Sequence, residues 1–151
     1  MMILSNNSSM EGIDKYISET VHEMYYGNDD NCALTSLYIL CYLFGIELDS
    51  QTIVSTVCMH GAGGYRAQCG LVEGPLMAIG IICTSYGWEK KRVVDTAKTF
   101  ASEFEKKFGS LRCMELRPGG FSPSDPPHLC EELSVRAIKF SYSFLKDAIH
   151  K

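Results

Sequence analysis

The stretch from Gly61 to Gly80, GAGGYRAQCGLVEGPLMAIG, constrains this chain more than any other. It crowds Gly61, Gly63, Gly64, Gly70 and Gly74 around one cysteine, Cys69, and then runs into apolar residues interrupted by Pro75. Glycine lets the backbone take positive φ and lets neighbouring groups approach closely. Proline is free of cost only in the first helical turn, where the N–H groups have no intrahelical partner. The stretch reads as a tight turn that delivers a thiol to the start of a helix. The regular helix is expected to begin nearer Val72, with Cys69 on a loose turn, and to end at Tyr86 or Gly87. A thiol beside unpaired N–H groups is biased towards thiolate, so Cys69 reads as reactive.

Apolar residues elsewhere recur at three- and four-residue steps, the signature of amphipathic helices. Ile13, Tyr16, Ile17, Val21 and Met24 mark a helix from Met10 to Met24, capped by Ser8 or Ser9 and stopped by the run Gly27 to Asp30. A second, apolar nearly all round and so central, spans Asn31 to Phe44, with Gly45 after its end. Asp49 or Ser50 caps a third that passes through Ile53, Val54, Val57 and Cys58 to His60. After the fourth, the span Glu89 to Phe108 turns Val93 or Val94, Ala97, Phe100, Ala101, Phe104 and Phe108 inward. A short turn from Ser110 to Leu116 carries Cys113, and an irregular loop covers Arg117 to Ser124. Asp125 and Pro126 then read as cap and first-turn proline of a last helix to Ile149. Leu129, Leu133, Ala137, Phe140 and Phe144 form its stripe. The fold class is all-α: one compact domain over residues 1–151, a bundle of about six helices.

With 151 residues the chain can bury a core without staples. A net charge of −4 with scattered basic residues argues against nucleic acid and charged membranes as partners. The start MMILSNNSSM has no basic n-region and no long apolar core, so it does not read as a secretory signal. Nor does any apolar run approach the roughly 20 residues a bilayer span takes. The expectation is a soluble, cytoplasmic protein. The all-round apolar second helix suits either burial in a monomer or a homodimer.

Seven cysteines cannot all pair internally, and in a reducing compartment thiol, redox or metal roles are favoured. Cys41, Cys58 and Cys83 fall within apolar helical runs and read as small core residues. Cys32, Cys69, Cys113 and Cys130 differ. Three of them sit near helix N-termini, and in a bundle such ends can meet at one pole. No C-x-x-C occurs, so neither a zinc ribbon nor a thioredoxin motif is present.

The order Asn31-Cys32-Ala33, Gly61-Ala62-Gly63-Gly64, Cys69-Gly70-Leu71-Val72-Glu73-Gly74, Phe104 with Phe108-Gly109, Cys113-Met114-Glu115-Leu116 and Cys130 resembles the family of redox-active proteins named for a C…GCAxxG…C…C pattern. Leu71 replaces the pattern's alanine, and Pro75 follows its last glycine. The resemblance implies a redox role for the same four cysteines. A similar helical module occurs in split-Soret cytochromes, where an iron–sulfur centre accompanies haem. The absence of C-x-x-C-H leaves no covalent c-type haem implied here.

Two readings lead. In thiol–disulfide exchange with an unidentified redox partner, Cys69 is the low-pKa thiol and Cys32, Cys113 or Cys130 resolves it. Arg66 would favour its thiolate and Glu73 would oppose it. In the other, Cys32, Cys69, Cys113 and Cys130 bind an iron–sulfur cluster or another thiolate-bound metal such as zinc. A third reading makes Cys69 a hydrolase or transferase nucleophile with His60 as base. His22, His128 and His150 read as surface or helix-terminal residues, with His128 a weak ligand candidate. The glycines are not a nucleotide loop, since G-x-G-x-x-G and Gly-Lys-Ser are both missing. Gly63, Gly64, Gly70 and Gly74 remain candidate contacts to a cofactor or small anion at the helix start, against the plainer reading that they allow close packing.

Overall fold

The computed structural model describes residues 9–151. Five long helices carry the fold: α1 (Met10–Asn28), α2 (Cys32–Leu43), α5 (Gly70–Ser85), α6 (Lys90–Phe108) and α8 (Glu131–Ile149). Three short ones, α3 (Ser50–Ser55), α4 (Gly61–Gly64) and α7 (Cys113–Leu116), lie in the connections. The all-α reading holds. The only sheet-like contact among the described residues is an isolated antiparallel bridge between Gln68 and Arg112.

Helices α2, α5 and α8 pack on one another, and the α2–α5 contact is the most extensive in the molecule. Helix α1 lies against α2 and α8, while α6 lies against α5 and α8. One apolar cluster draws on all five, with Ile17, Leu40, Ile79, Phe104 and Ile138 fully buried. Helix α2 is central, as its composition suggests: Ala33, Leu37, Ile39, Leu40 and Cys41 are all buried. In α8 the stripe is turned from the expected one. Leu133, Ala137, Ile138 and Leu145 are buried, whereas Phe140 and Phe144 lean on the rings of Phe100, Phe104 and Phe108.

Several boundaries differ from the sequence reading. Ser9 caps α1 by accepting the Gly12 N–H at 3.2 Å; Ser8, the alternative, lies outside the described residues. Helix α1 runs past Met24 to Asn28 and ends at Asp29, which takes the left-handed conformation (φ 56°) while the Asp30 N–H bonds the Met24 carbonyl. Aspartate tolerates that conformation better than most side chains. Helix α3 keeps Asp49 as its cap but stops at Ser55. The Thr56 and Val57 carbonyls accept from Asn31 Nδ2. Cys58, expected in the core, is consequently exposed, whereas Cys41 and Cys83 are buried.

Helix α5 begins at Gly70, not near Val72, and continues through Pro75. The missing N–H deprives the Leu71 carbonyl of its usual donor and normally costs about 3 kcal/mol. Burial of Pro75, with Leu71, Val72, Ala78 and Ile79 buried around it in sequence, offsets that cost. Helix α8 starts at Glu131, later than the expected cap at Asp125. Asp125 and Pro126 each precede a proline, which disfavours helical backbone. Asp125 instead closes a turn by accepting the Ser122 N–H at 2.9 Å.

Candidate functional site

All four singled-out cysteines lie at helix N-termini. Cys32 and Cys113 are the first residues of α2 and α7, and Cys69 and Cys130 are the cap residues of α5 and α8. The connections bring these ends together. Residues 66–69 run antiparallel to 111–114, with the Cys69 N–H on the Leu111 carbonyl (2.9 Å), the Cys113 N–H on the Ala67 carbonyl (2.6 Å) and the Met114 N–H on the Arg66 carbonyl (3.1 Å). Cys69 and Cys113 are therefore diagonal neighbours on one face of the ladder, a geometry that sets side chains about 7–8 Å apart.

Two glycines make seats for two of the sulfurs. A Cβ on Gly70 would stand 3.0 Å from Cys32 Sγ, and one on Gly61 would stand 3.3 Å from Cys113 Sγ. Gly61, Ala62, Gly63 and Gly64 all have positive φ, forming a left-handed turn closed by the Gly64 N–H on the His60 carbonyl at 2.7 Å. Gly63 and Gly64 are exposed there. Gly74 faces α2, where an added Cβ would overlap Ser36 Oγ and the Ala33 carbonyl oxygen. Gly70 and Gly74 thus face the α2 backbone, not an open cleft, and the plainer reading of them as packing residues is the one the geometry supports.

The charges of the four thiols reach one another in all six pairings. Cys69 feels Cys32, Cys113 and Cys130; Cys32 feels Cys113 and Cys130; Cys130 feels Cys113. Tyr25, buried under the cluster, feels Cys32, Cys130 and Cys69. Its hydroxyl is 2.5 Å from Ser134 Oγ, which in turn donates to the Cys130 carbonyl at 2.8 Å.

Burial outweighs the helix N-termini. It pushes the Cys32 thiol up to about 12, with added repulsion from Cys130 and Cys113, against hydrogen bonds from the Cys32 and Gly70 amides. Cys69 is raised further by burial and then by Cys32, despite the Leu71 amide. Cys69 is therefore not the low-pKa thiol that its position suggested. Burial raises Cys113 and Cys130 too, but there cations oppose it: Arg117 and Arg66 act on Cys113, and Arg117 both acts on and hydrogen-bonds Cys130. Arg66 thus serves Cys113, not Cys69.

Glu73 and His60 act on each other. Burial raises the Glu73 carboxyl and the His60 charge opposes that; Glu73 Oε2 is buried without a hydrogen-bond partner among the described residues. The groups that act on Cys69 are Cys32, Cys113, Cys130 and the Leu71 amide, and His60 is not among them. His128 is engaged as well, with Nε2 3.0 Å from Asp29 Oδ1 and its ring stacked on Tyr25 at 5.0 Å. Among the described residues no three or more His, Cys, Asp or Glu side chains are arranged to hold a metal ion. Four thiolates are a donor set for zinc or an iron–sulfur cluster, but no three of the sulfurs are placed around one point in this conformation.

A model of the family described as "Putative redox-active protein (C_GCAxxG_C_C)" matches residues 30–143, three quarters of the chain and all four cysteines. The chain belongs to this family. The resemblance drawn from its motifs is thereby borne out. No curated protein matches the chain significantly, and no solved structure does either.

Sequence reasoning missed Tyr25, Asn31 and Arg117. Tyr25 could have been found, being four residues after Val21 on the buried face of α1. Asn31 carried the ordinary signal of a polar residue before a helix. Arg117 lies in an irregular loop, where no periodicity assigns it a neighbour.

Proposed function

We propose that this chain is a thiol–disulfide redox protein working through Cys32, Cys69, Cys113 and Cys130. The observation that carries the reading is the placement of the four thiols on separate helix starts, with the Cys69 strand paired to the Cys113 strand and the Cys32 sulfur against Gly70, next to Cys69. A disulfide-bearing oxidant would take two electrons and two protons from two of these thiols and leave their sulfurs joined. Family membership supports the redox class. The metal-centre alternative uses the same sulfurs, which would have to draw together to hold an ion, so no step is routed through a metal.

The test is to equilibrate the reduced chain in a glutathione redox buffer, quench with an alkylating agent, and map the cysteines by peptide mass. The expected result is a disulfide joining two of the four, reversed by dithiothreitol, with Cys41, Cys58 and Cys83 unpaired. Failure of the four to pair under any buffer ratio, or isolation of the chain with stoichiometric metal on these thiols, would overturn the reading.

A further inference from the structure

The backbone holds Arg66 beside Cys113. The Met114 N–H bonds the Arg66 carbonyl at 3.1 Å, and the Cys113 N–H bonds the Ala67 carbonyl at 2.6 Å. Arg66 and Cys113 also close on one point: a Cβ on Gly61 would stand 3.2 Å from the Arg66 Cα and 3.3 Å from the Cys113 sulfur. The Arg66 guanidinium is positioned by an aromatic ring, its Cζ lying 4.0 Å from the centre of Phe121. The Arg117 guanidinium lies 4.5 Å from the same centre. Arg117 follows α7, with its own N–H on the Cys113 carbonyl at 3.1 Å. Two cations therefore meet at one ring, each carried by a segment bonded to the α7 start.

The carboxylates of this region are engaged elsewhere. Asp125 Oδ2 lies 3.4 Å from Arg117 Nη2 and accepts the Ser122 N–H at 2.9 Å. Glu115 accepts from the Ser110 hydroxyl. Arg66 is exposed and forms no ion pair among the described residues. In a chain of net charge −4, this leaves an uncompensated, oriented guanidinium beside a partly exposed thiol. Its planar fork matches a carboxylate, and its fixed position lowers the cost of ordering one. Arg117 and Arg66 also oppose burial at the Cys113 thiol, which favours the thiolate that attacks disulfides.

We propose that Cys113 is the thiol that meets a small, carboxylate-bearing disulfide, and that Arg66 is the specificity residue that binds its carboxylate. This rests on the thiol-redox reading and names a substrate class for it. The Cys113 thiolate attacks one sulfur of the bound disulfide. The oxidant S–S bond breaks and a mixed disulfide forms on Cys113. The other half leaves as a thiolate and takes up the proton that Cys113 released. Arg66 keeps its proton and supplies charge and hydrogen bonds to the carboxylate. The partial exposure of the sulfur suits a small disulfide better than one carried on a protein surface.

The test uses the full reduced chain with Cys58→Ser throughout, since Cys58 is exposed and would react with any disulfide. Two dialkyl disulfides are compared at low salt: glutathione disulfide, in which carboxylates outnumber ammonium groups, and cystamine, which carries only ammonium groups. Early products are quenched with acid, and the adduct on Cys113 is followed by peptide mass. The readout is the ratio of the glutathione rate to the cystamine rate at Cys113. Arg66→Gln should lower that ratio by about fivefold, and Arg66→Lys by no more than about twofold. Salt at about 1 M should bring the ratio of the Arg66-containing chain down to that of the Gln variant. A cation that only stabilised the thiolate would act on both disulfides alike, so an unchanged ratio in Arg66→Gln overturns the proposal. If that variant does not fold, the salt series decides: a ratio insensitive to salt overturns it. A first glutathione adduct on Cys32, Cys69 or Cys130 also overturns it, while a protein disulfide formed in any of these cases leaves thiol redox standing. Adducts that never resolve into a protein disulfide sink the thiol-redox reading itself, and this proposal with it.

Discussion

A methyl group added at Gly70 would stand 2.8 Å from the Ala33 amide nitrogen and 3.0 Å from the Cys32 sulfur. Neither can retreat easily, since Ala33 is backbone in the first turn of α2 and is fully buried. Gly70→Ala should therefore destabilise the chain by about 1–3 kcal/mol, as overpacking does. Gly80 lies in the same helix with nothing within 4 Å of an added Cβ. There the propensity term acts alone, and Gly80→Ala should gain up to about 1 kcal/mol. Urea midpoints of the two variants against the wild type check both signs; two shifts in the same direction would refute this account of Gly70. The contrast also explains why the glycine-rich stretch reads ambiguously in sequence. Gly70 and Gly80 are the same letter, and only the placement of α2 separates a required glycine from a replaceable one.

At the scale of elements, the α2 N-terminus depends on Asn31. Its Oδ1 accepts the Leu34 N–H at 2.9 Å, and its Nδ2 donates to the Thr56 and Val57 carbonyls at 2.8 and 3.1 Å. One side chain thus caps the helix that carries Cys32 and ties it to the turn after α3. Asn31→Ala removes all three bonds and should cost about 1–3 kcal/mol in urea unfolding. Asn31→Asp keeps the cap but turns a carboxylate oxygen towards two carbonyls, and should lie between the two. Equal stability of the Ala and Asp variants would show that the cap contributes nothing. The helices themselves were legible because each carries its own apolar period and its own stop, as α6 does with Phe100, Phe104 and Gly109. The boundaries that failed were set by partners distant in sequence or by adjacent residues of mixed signal. Asn31 takes the Thr56 and Val57 carbonyls beyond α3, α2 packs on the Gly70 and Gly74 face of α5, and tandem prolines delay α8. The helix starts that carry four of the seven cysteines were largely legible, yet Cys58 shows the limit of the pattern, since an apolar run beside it did not bury it.

For the whole molecule, convergence of buried thiols couples stability to pH. A thiol with an ordinary value of 9.0 is held at about 12 in the fold at Cys32 and at Cys41, and Cys69 is raised as well. Burial is the leading cause at each. Below pH 9 these thiols are protonated in both folded and unfolded chains, and their contribution is fully present. Above pH 9 the unfolded chain releases thiol protons that the folded chain retains, so the unfolded state binds fewer protons and stability falls as pH rises towards the folded values. Each such thiol contributes a slope of at most about 1.4 kcal/mol per pH unit. Tyr25, also raised by burial, joins only nearer the ordinary tyrosine value of 10.0. Urea unfolding of the reduced chain should thus be insensitive to these groups between pH 7 and 8 and lose stability from pH 9 upward. Joining Cys32 to Cys69 as a disulfide removes two of the titrating groups, so a chain oxidised at that pair should show a shallower alkaline slope. A reduced chain as stable at pH 10.5 as at pH 8 would mean that these thiols are not shielded by the fold.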